Sequence, residues 1–206
     1  MKYVPFNPRI HPEKWELFIH NGTVFDGNAS MGAYIRQLLW TMDQCQSIPT
    51  NVLEIGFGYG ASALLWLEET DANVTVIEVV EKERWSEDET PDKDGNICYL
   101  TKAVDKALKS HGDRFKVIPG RGSEIAATLE QEYDFIFIDS SHIYQDTLDE
   151  ILACWRLTVP GGMLAGHDIF IPDVRKAVDE ASRQLGNIDI QSDTKHQHMG
   201  TWYVRR

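Results

Sequence analysis

From residue 51 the chain alternates short, bare apolar runs with stretches of helical periodicity, and this alternation limits the possible folds more than any other feature. The runs are NVLEI at 51–55, NVTVIEV at 73–79, RFKVIP at 114–119, YDFIFID at 133–139 and GGMLAGH at 161–167. Helices fit between them at 60–70, 98–111, 122–131 and 143–157, with a last one at about 172–185. Strands rich in β-branched residues without polar alternation are buried on both faces, which means a parallel sheet covered by helices. The tail obeys another rule. NIDIQSD and TWYVRR are separated by a polar turn without a helix, so they pair antiparallel. The expected architecture is α/β, a doubly wound, seven-stranded, mostly parallel sheet that ends in an antiparallel pair.

The first 50 residues read differently. Pro5, Pro8, Pro12, Gly22 and Gly27 punctuate an irregular arm with a short helix near 12–19. Ser30 then caps MGAYIRQLLWTMDQC, whose apolar residues fall at 31, 34, 35, 38, 39 and 42. Residues 1–50 are therefore expected to form an N-terminal cap or arm, and 51–206 the main domain. Apolar residues at 42% and charged residues at 25% are globular values. No apolar run is long enough to span a bilayer, and MKYVPFNPRIHPEKW lacks the apolar core of a signal peptide. A cytoplasmic location is the expectation.

The net charge is −12, and residues 81–96 alone carry seven acids against three bases. Nucleic-acid binders replace phosphate counterions with a basic face. With no basic stripe here, nucleic acids and anionic membranes are excluded as expected partners, and a small molecule is favoured. Oligomeric state stays open, a homo-oligomer included. The cysteines, Cys45, Cys98 and Cys154, are odd in number and widely spaced, so they form neither a disulfide framework nor a zinc pattern.

VLEIGFGYGAS ends the first strand and opens a helix. Gly56, Gly58 and Gly60 let the backbone turn sharply and come close to a ligand. Read with Ala61, the same segment also satisfies a dinucleotide pattern. Glu78 ends the second strand, where doubly wound folds place an acid that accepts hydrogen bonds from ribose hydroxyls. Both features point to an adenosine-bearing cofactor without naming it.

Further residues narrow the choice: Glu54 two positions before the first glycine, GRGSE at 120–124, and FIDSSHIYQDTLDEILACWRLTVPGGMLAGHD at 137–168. Together these resemble class I S-adenosylmethionine-dependent methyltransferases, over roughly residues 50–206. The acid-I-G-x-G-x-G run looks like that family's first motif, and VIE at 76–78 is similar to its ribose-binding second motif. The closing antiparallel pair is similar to that fold's ending. D-x-S-H-x-Y followed by PGG and GHD resembles small-molecule O-methyltransferases of the macrocin, cephalosporin and catechol types. The resemblance implies S-adenosylmethionine held by Glu54, Gly56, Gly58, Gly60, Glu78, Gly122, Ser123 and Asp139. It also implies a divalent metal (Mg, Mn or Fe) on Asp139, His167 and Asp168, with Asp139 and His142 catalytic and His142 the general base. One position departs from the pattern, since His167 stands where an oxygen ligand is usual. Imidazole suits Mn, Fe or Ni better than Mg.

Two rival functions use the same residues. A nicotinamide-dependent dehydrogenase explains the glycine turn but leaves FIDSSH and GHD without a role. A non-catalytic S-adenosylmethionine-binding module would be expected to have lost Asp139, His142 or Asp168, and all three are present. Other motifs fail on chemistry. DKDGN at 92–96 resembles a Ca²⁺ loop, but Thr90 and Thr101 occupy places that need acids. His196 and His198 in KHQHMG lack a third ligand nearby, and no G-x-S-x-G nucleophile turn occurs. The acceptor itself is not named by these residues.

Overall fold

The computed structural model describes residues 31–58, 60–79, 108–193 and 200–206. The short helix near 12–19, the insertion at 81–98, most of the helix at 98–111 and the two KHQHMG histidines lie outside them. The described chain runs α1 (Met31–Asp43), β1 (Asn51–Ile55), α2 (Ala61–Glu69), β2 (Asn73–Glu78) and β3 (Phe115–Pro119). It continues with α3 (Gly122–Thr128), β4 (Tyr133–Ile138), α4 (Tyr144–Leu157), β5 (Thr158–His167), α5 (Pro172–Gln184), β6 (Gln191–Ser192) and β7 (Thr201–Arg205).

The strands form one seven-stranded sheet in the order β3-β2-β1-β4-β5-β7-β6. Pairs from β3 to β5 are parallel, and β7 lies antiparallel between β5 and β6. The expected architecture is therefore the observed one. Alternate residues of each strand feed opposite cores, as the strand period of two requires. Val52, Val74, Phe135 and Phe137 pack with α1 and α2 on one face. Leu53, Ile77, Ile136 and Ile138 pack with α4 and α5 on the other. On the first face α1 inserts Tyr34, Leu38, Leu39 and Met42 among the strand side chains.

Two boundaries differ from the sequence reading. β5 begins at Thr158, ahead of the glycine pair expected to start it, and its register with β4 shifts between Tyr133 and Phe135. Gly161, at φ +81, supplies a backbone conformation that carries the chain through this irregularity. NIDIQSD yields only two paired residues, because Tyr203 and Trp202 offer partners to Gln191 and Ser192 alone.

The strand order reverses direction at β1 and β4, and the chain leaves these neighbours toward opposite faces. A crevice opens beyond their carboxyl ends, where open α/β sheets bind ligands. Gly56, Gly58, Glu78, Gly122, Ser123, Asp139, His167 and Asp168 lie along this edge.

Candidate active site

Beyond the ends of β1, β2 and β4 lies a cavity of about 370 Å³, ample for a nucleoside-sized ligand. Gly56, Gly58, Glu78, Gly122, Ser123 and Asp139 all line it. Gly56 has φ +91, and a Cβ there would run into the backbone carbonyl of Asp139. The position thus demands glycine both for its backbone angle and for the closeness of β1 and β4. Gly58, at φ +48, faces open space, so its bare backbone forms part of the cavity floor. The Phe57 N–H donates to Glu78 Oε2 at 2.5 Å, tying the turn to the end of β2.

Two expected cofactor contacts sit elsewhere. Glu54 is fully buried behind the turn, where its carboxyl accepts from Ser62 Oγ and, at 3.0 Å, from Trp66 Nε1. Its β1 position points it into the core on the α2 side, so it braces the turn from behind and does not line the cavity. Gly60, at φ +77, precedes α2 as its N-cap, and a Cβ there would meet the ring of Phe57. It shapes the start of the helix and likewise lies off the cavity wall.

At the other end of the crevice Asp139, His167 and Asp168 offer ligand atoms that all lie within 4.8 Å of one another. His167 Nδ1 is 3.1 Å from Asp168 Oδ1 and 3.8 Å from Asp139 Oδ1. His142 Nε2 donates to Asp168 Oδ2 at 2.8 Å, and its side chain is 55% exposed. Asp168 has φ +61, a left-handed conformation tolerated by Asp that lets β5 end with its carboxylate between two histidines. Asp139 belongs to both places, since it lines the cavity and contributes to the cluster.

The electrostatics follow from burial opposed by pairing. Burial pushes the Asp139 carboxyl up, with the Asp168 charge adding to it, while His167, Tyr34 and His142 pull the other way. For Asp168 burial also works upward, but the two histidines prevail and hold it below the usual carboxylate range. Burial works against charge on His167, yet Asp139 and Asp168 outweigh it and raise its pKa. Two acids facing one imidazole make a pocket that favours positive charge. Two carboxylates with one imidazole nitrogen also form a donor set suited to a divalent ion of intermediate softness.

Several residues of the site carry no signal in a motif. Tyr34 Oη donates to Asp139 Oδ2 at 2.5 Å, and the Tyr34 ring packs edge-on to His167 with centroids 5.1 Å apart. His167 Nε2 donates to Gln37 Oε1 at 2.9 Å. Both partners come from α1, where the spacing of three residues puts them on one helix face. The only trace in the sequence is a glutamine within an otherwise apolar helix face. Ser140, Asp146 and Glu150 also line the cavity. Burial raises Glu150 to about 7, with Asp146 and Asp149 adding to the effect and Ser140 and Arg121 opposing it.

A family model described as a methyltransferase domain matches residues 53–169. No curated protein sequence matches the chain. Among solved structures, the chain is similar to an O-methyltransferase from Bacillus cereus in complex with S-adenosylhomocysteine. The identity is 17% and the TM-score 0.59, with 87% of this chain and 83% of that one covered. It is also similar to the S-adenosylhomocysteine-bound methyltransferase PaMTH1 of Podospora anserina, at 21% identity and a TM-score of 0.56. That match covers 100% of this chain and 98% of the other. A third similarity is to CalS11, a TDP-rhamnose 3′-O-methyltransferase of calicheamicin biosynthesis, at 15% identity and a TM-score of 0.54, covering 85% and 76%.

Proposed function

Because this chain belongs to the methyltransferase-domain family, we propose that it carries a methyl group from S-adenosylmethionine to a hydroxyl oxygen of a small molecule, aided by a divalent metal. One observation carries the reading: Asp139 stands at once in the wall of the cavity and in the Asp139–His167–Asp168 cluster. A donor bound in the first would end beside an acceptor held at the second.

S-adenosylmethionine supplies an electrophilic methyl that passes in line to the acceptor oxygen as that oxygen gives up its proton. In this reading the bare backbone at Gly56 and Gly58 and the Glu78 carboxylate bind the donor's nucleoside, with Gly122 and Ser123 closing its far side. A divalent ion on Asp139, His167 and Asp168 would supply positive charge that lowers the pKa of an acceptor hydroxyl. Gln37 and Tyr34 orient two of those three side chains. His142 is the proton acceptor. Its Nε2–H is held by Asp168, which leaves the Nδ1 lone pair to take the hydroxyl proton. Displacement of this kind requires little beyond alignment and removal of one proton, so positioning dominates the catalysis.

The test is methyl transfer from labelled S-adenosylmethionine to a panel of hydroxylated small molecules, with and without excess chelator. Product formation that stops in chelator and returns with Mn²⁺ supports the whole reading. Undiminished transfer in chelator removes the metal from it and makes Asp139 and Asp168 substrate-orienting acids. Calorimetry that finds NADH bound in place of S-adenosylhomocysteine overturns the reading.

A further inference from the structure

Tyr34 does more than touch Asp139. Its hydroxyl also bonds Ser62 Oγ from α2, and Ser62 Oγ in turn bonds Glu54 Oε1. With the 2.5 Å contact from Tyr34 Oη to Asp139 Oδ2, side chains from β1, α2, α1 and β4 form an unbroken line of oxygens. Glu54 closes its far end, where Oε2 accepts from Trp66 Nε1 at 3.0 Å. Glu54 and Ser62 are both buried, so bulk water does not serve that end. The direction of each bond is then set by counting protons. Three bonds between oxygens need three protons, and the hydroxyls of Tyr34 and Ser62 bring two. The third belongs to one of the end carboxyls. At the Asp139 end, His167 and His142 favour charge. At the Glu54 end, the charged groups that act most are Asp139 from β4 and Glu78 from β2, both acids, while Ser62, Trp66 and Tyr34 are neutral. The third proton therefore stays with Glu54. The acid donates to Ser62, Ser62 donates to Tyr34, and the Tyr34 proton is committed to Asp139. Were Glu54 ionised, Ser62 would turn to it, and Tyr34 would have one proton for two acceptors.

We infer that Glu54 and Ser62 are positioning residues of the site: through a one-way chain of hydrogen bonds they commit the Tyr34 hydroxyl to Asp139 Oδ2, which leaves Asp139 Oδ1 for a ligand held beside His167. Oδ1 is the oxygen that faces the imidazole, 3.8 Å from His167 Nδ1. Burial raises the Glu54 carboxyl to about 8, in keeping with a proton held there through neutral pH. The chain belongs to the protein alone, and only the claim that Asp139 works on a ligand rests on the proposed function.

The experiment is an infrared pH titration of the full chain without cofactor or metal. It is read as the difference between the wild type and Glu54→Gln, whose amide does not titrate. Glu54 is expected as a protonated carboxyl at about pH 6, well above the usual carboxylate range, giving way to carboxylate with a midpoint of about 8. The same difference taken in a Tyr34→Phe background tests the chain. Phenylalanine removes the acceptor of the Ser62 proton, which is then free to stabilise the Glu54 carboxylate. The midpoint should fall by about one pH unit or more. Packing alone predicts no change or a rise, because the variant takes a polar group away from a buried acid. Melting temperatures show each variant folded. A Glu54 already ionised at about pH 6 overturns the inference. A midpoint that stays or rises in the Tyr34→Phe background overturns it as well. Methyl transfer plays no part in this readout, so a failed chain leaves the proposed function standing, and a failed function leaves the chain to be judged by the titration.

Discussion

Glu54 illustrates how a neighbour decides what a motif residue does. Burial pushes its carboxyl up to about 8, the Asp139 and Glu78 charges add to that, and Ser62 and Trp66 oppose it. Its folded pKa thus stands above the unfolded value, so the folded state keeps a proton that the unfolded chain releases. Stability from this group is intact below the unfolded pKa and declines as pH rises through the window from the usual carboxylate range to about 8. A glutamine preserves both contacts, carbonyl toward Trp66 and NH₂ toward the Ser62 oxygen, and does not titrate. Glu54→Gln should therefore gain about 3 kcal/mol over wild type between pH 5 and pH 7 and beyond, read as diverging melting temperatures. Parallel melting curves at the two pH values would remove the buried proton. His142 makes the contrasting case, an exposed ring whose only described partner is Asp168. His142→Ala should cut turnover by roughly 10²–10⁴-fold with S-adenosylhomocysteine affinity intact. A variant that melts early but turns over normally assigns the ring a structural role instead.

At the scale of elements, the glycine turn matters because it lets β1 and β4 end side by side. Asp139 N–H donates to Ile55 O at 2.8 Å, and Gly56 N–H to Ile77 O at 2.9 Å, which knits three strand ends together directly under the site. Gly56→Ala would place a methyl against the Asp139 carbonyl and would strain a φ of +91. We expect a loss of about 1–3 kcal/mol in chemical denaturation and a weakened S-adenosylhomocysteine affinity, whereas Gly58→Ala, with open space beside it, should cost less stability. The short helix α3 depends on a side chain from α4. Arg156 donates to the carbonyls of Ala126, Ala127 and Leu129, supplying donors at a helix end whose last carbonyls lack them within the helix. The helices and strands themselves were legible because their periodicity is local. The start of β5 was not, since Thr158 pairs with Tyr133 through a bulge that only the neighbouring strand imposes.

For the molecule as a whole, α1 links the N-terminal segment to the chemistry. Tyr34 reaches Asp139 across 105 residues of sequence, and Gln37 reaches His167 across 130. Burial keeps the Tyr34 hydroxyl protonated, aided by the Asp139 charge, so it remains a donor at any ordinary pH. Tyr34→Phe removes that donor and keeps the ring against His167. If Asp139 holds a metal, Mn²⁺ affinity should drop by about tenfold or more in this variant, measured by calorimetry without any acceptor present. An unchanged affinity would separate Tyr34 from the metal site. The sequence by itself determined the strand and helix succession of the described residues, the glycine turn and Glu78 at the end of β2, because each is a short-range pattern fixed by backbone sterics and periodicity, whereas Asp139, His142, His167 and Asp168 were picked out through the resemblance to methyltransferases and are brought together by the fold. Only the tertiary structure decided that Glu54 faces the core, that Glu150 lines the cavity and that α1 supplies Tyr34 and Gln37. Those outcomes depend on which face of one element meets another far away in sequence, and packing, not local propensity, settles that.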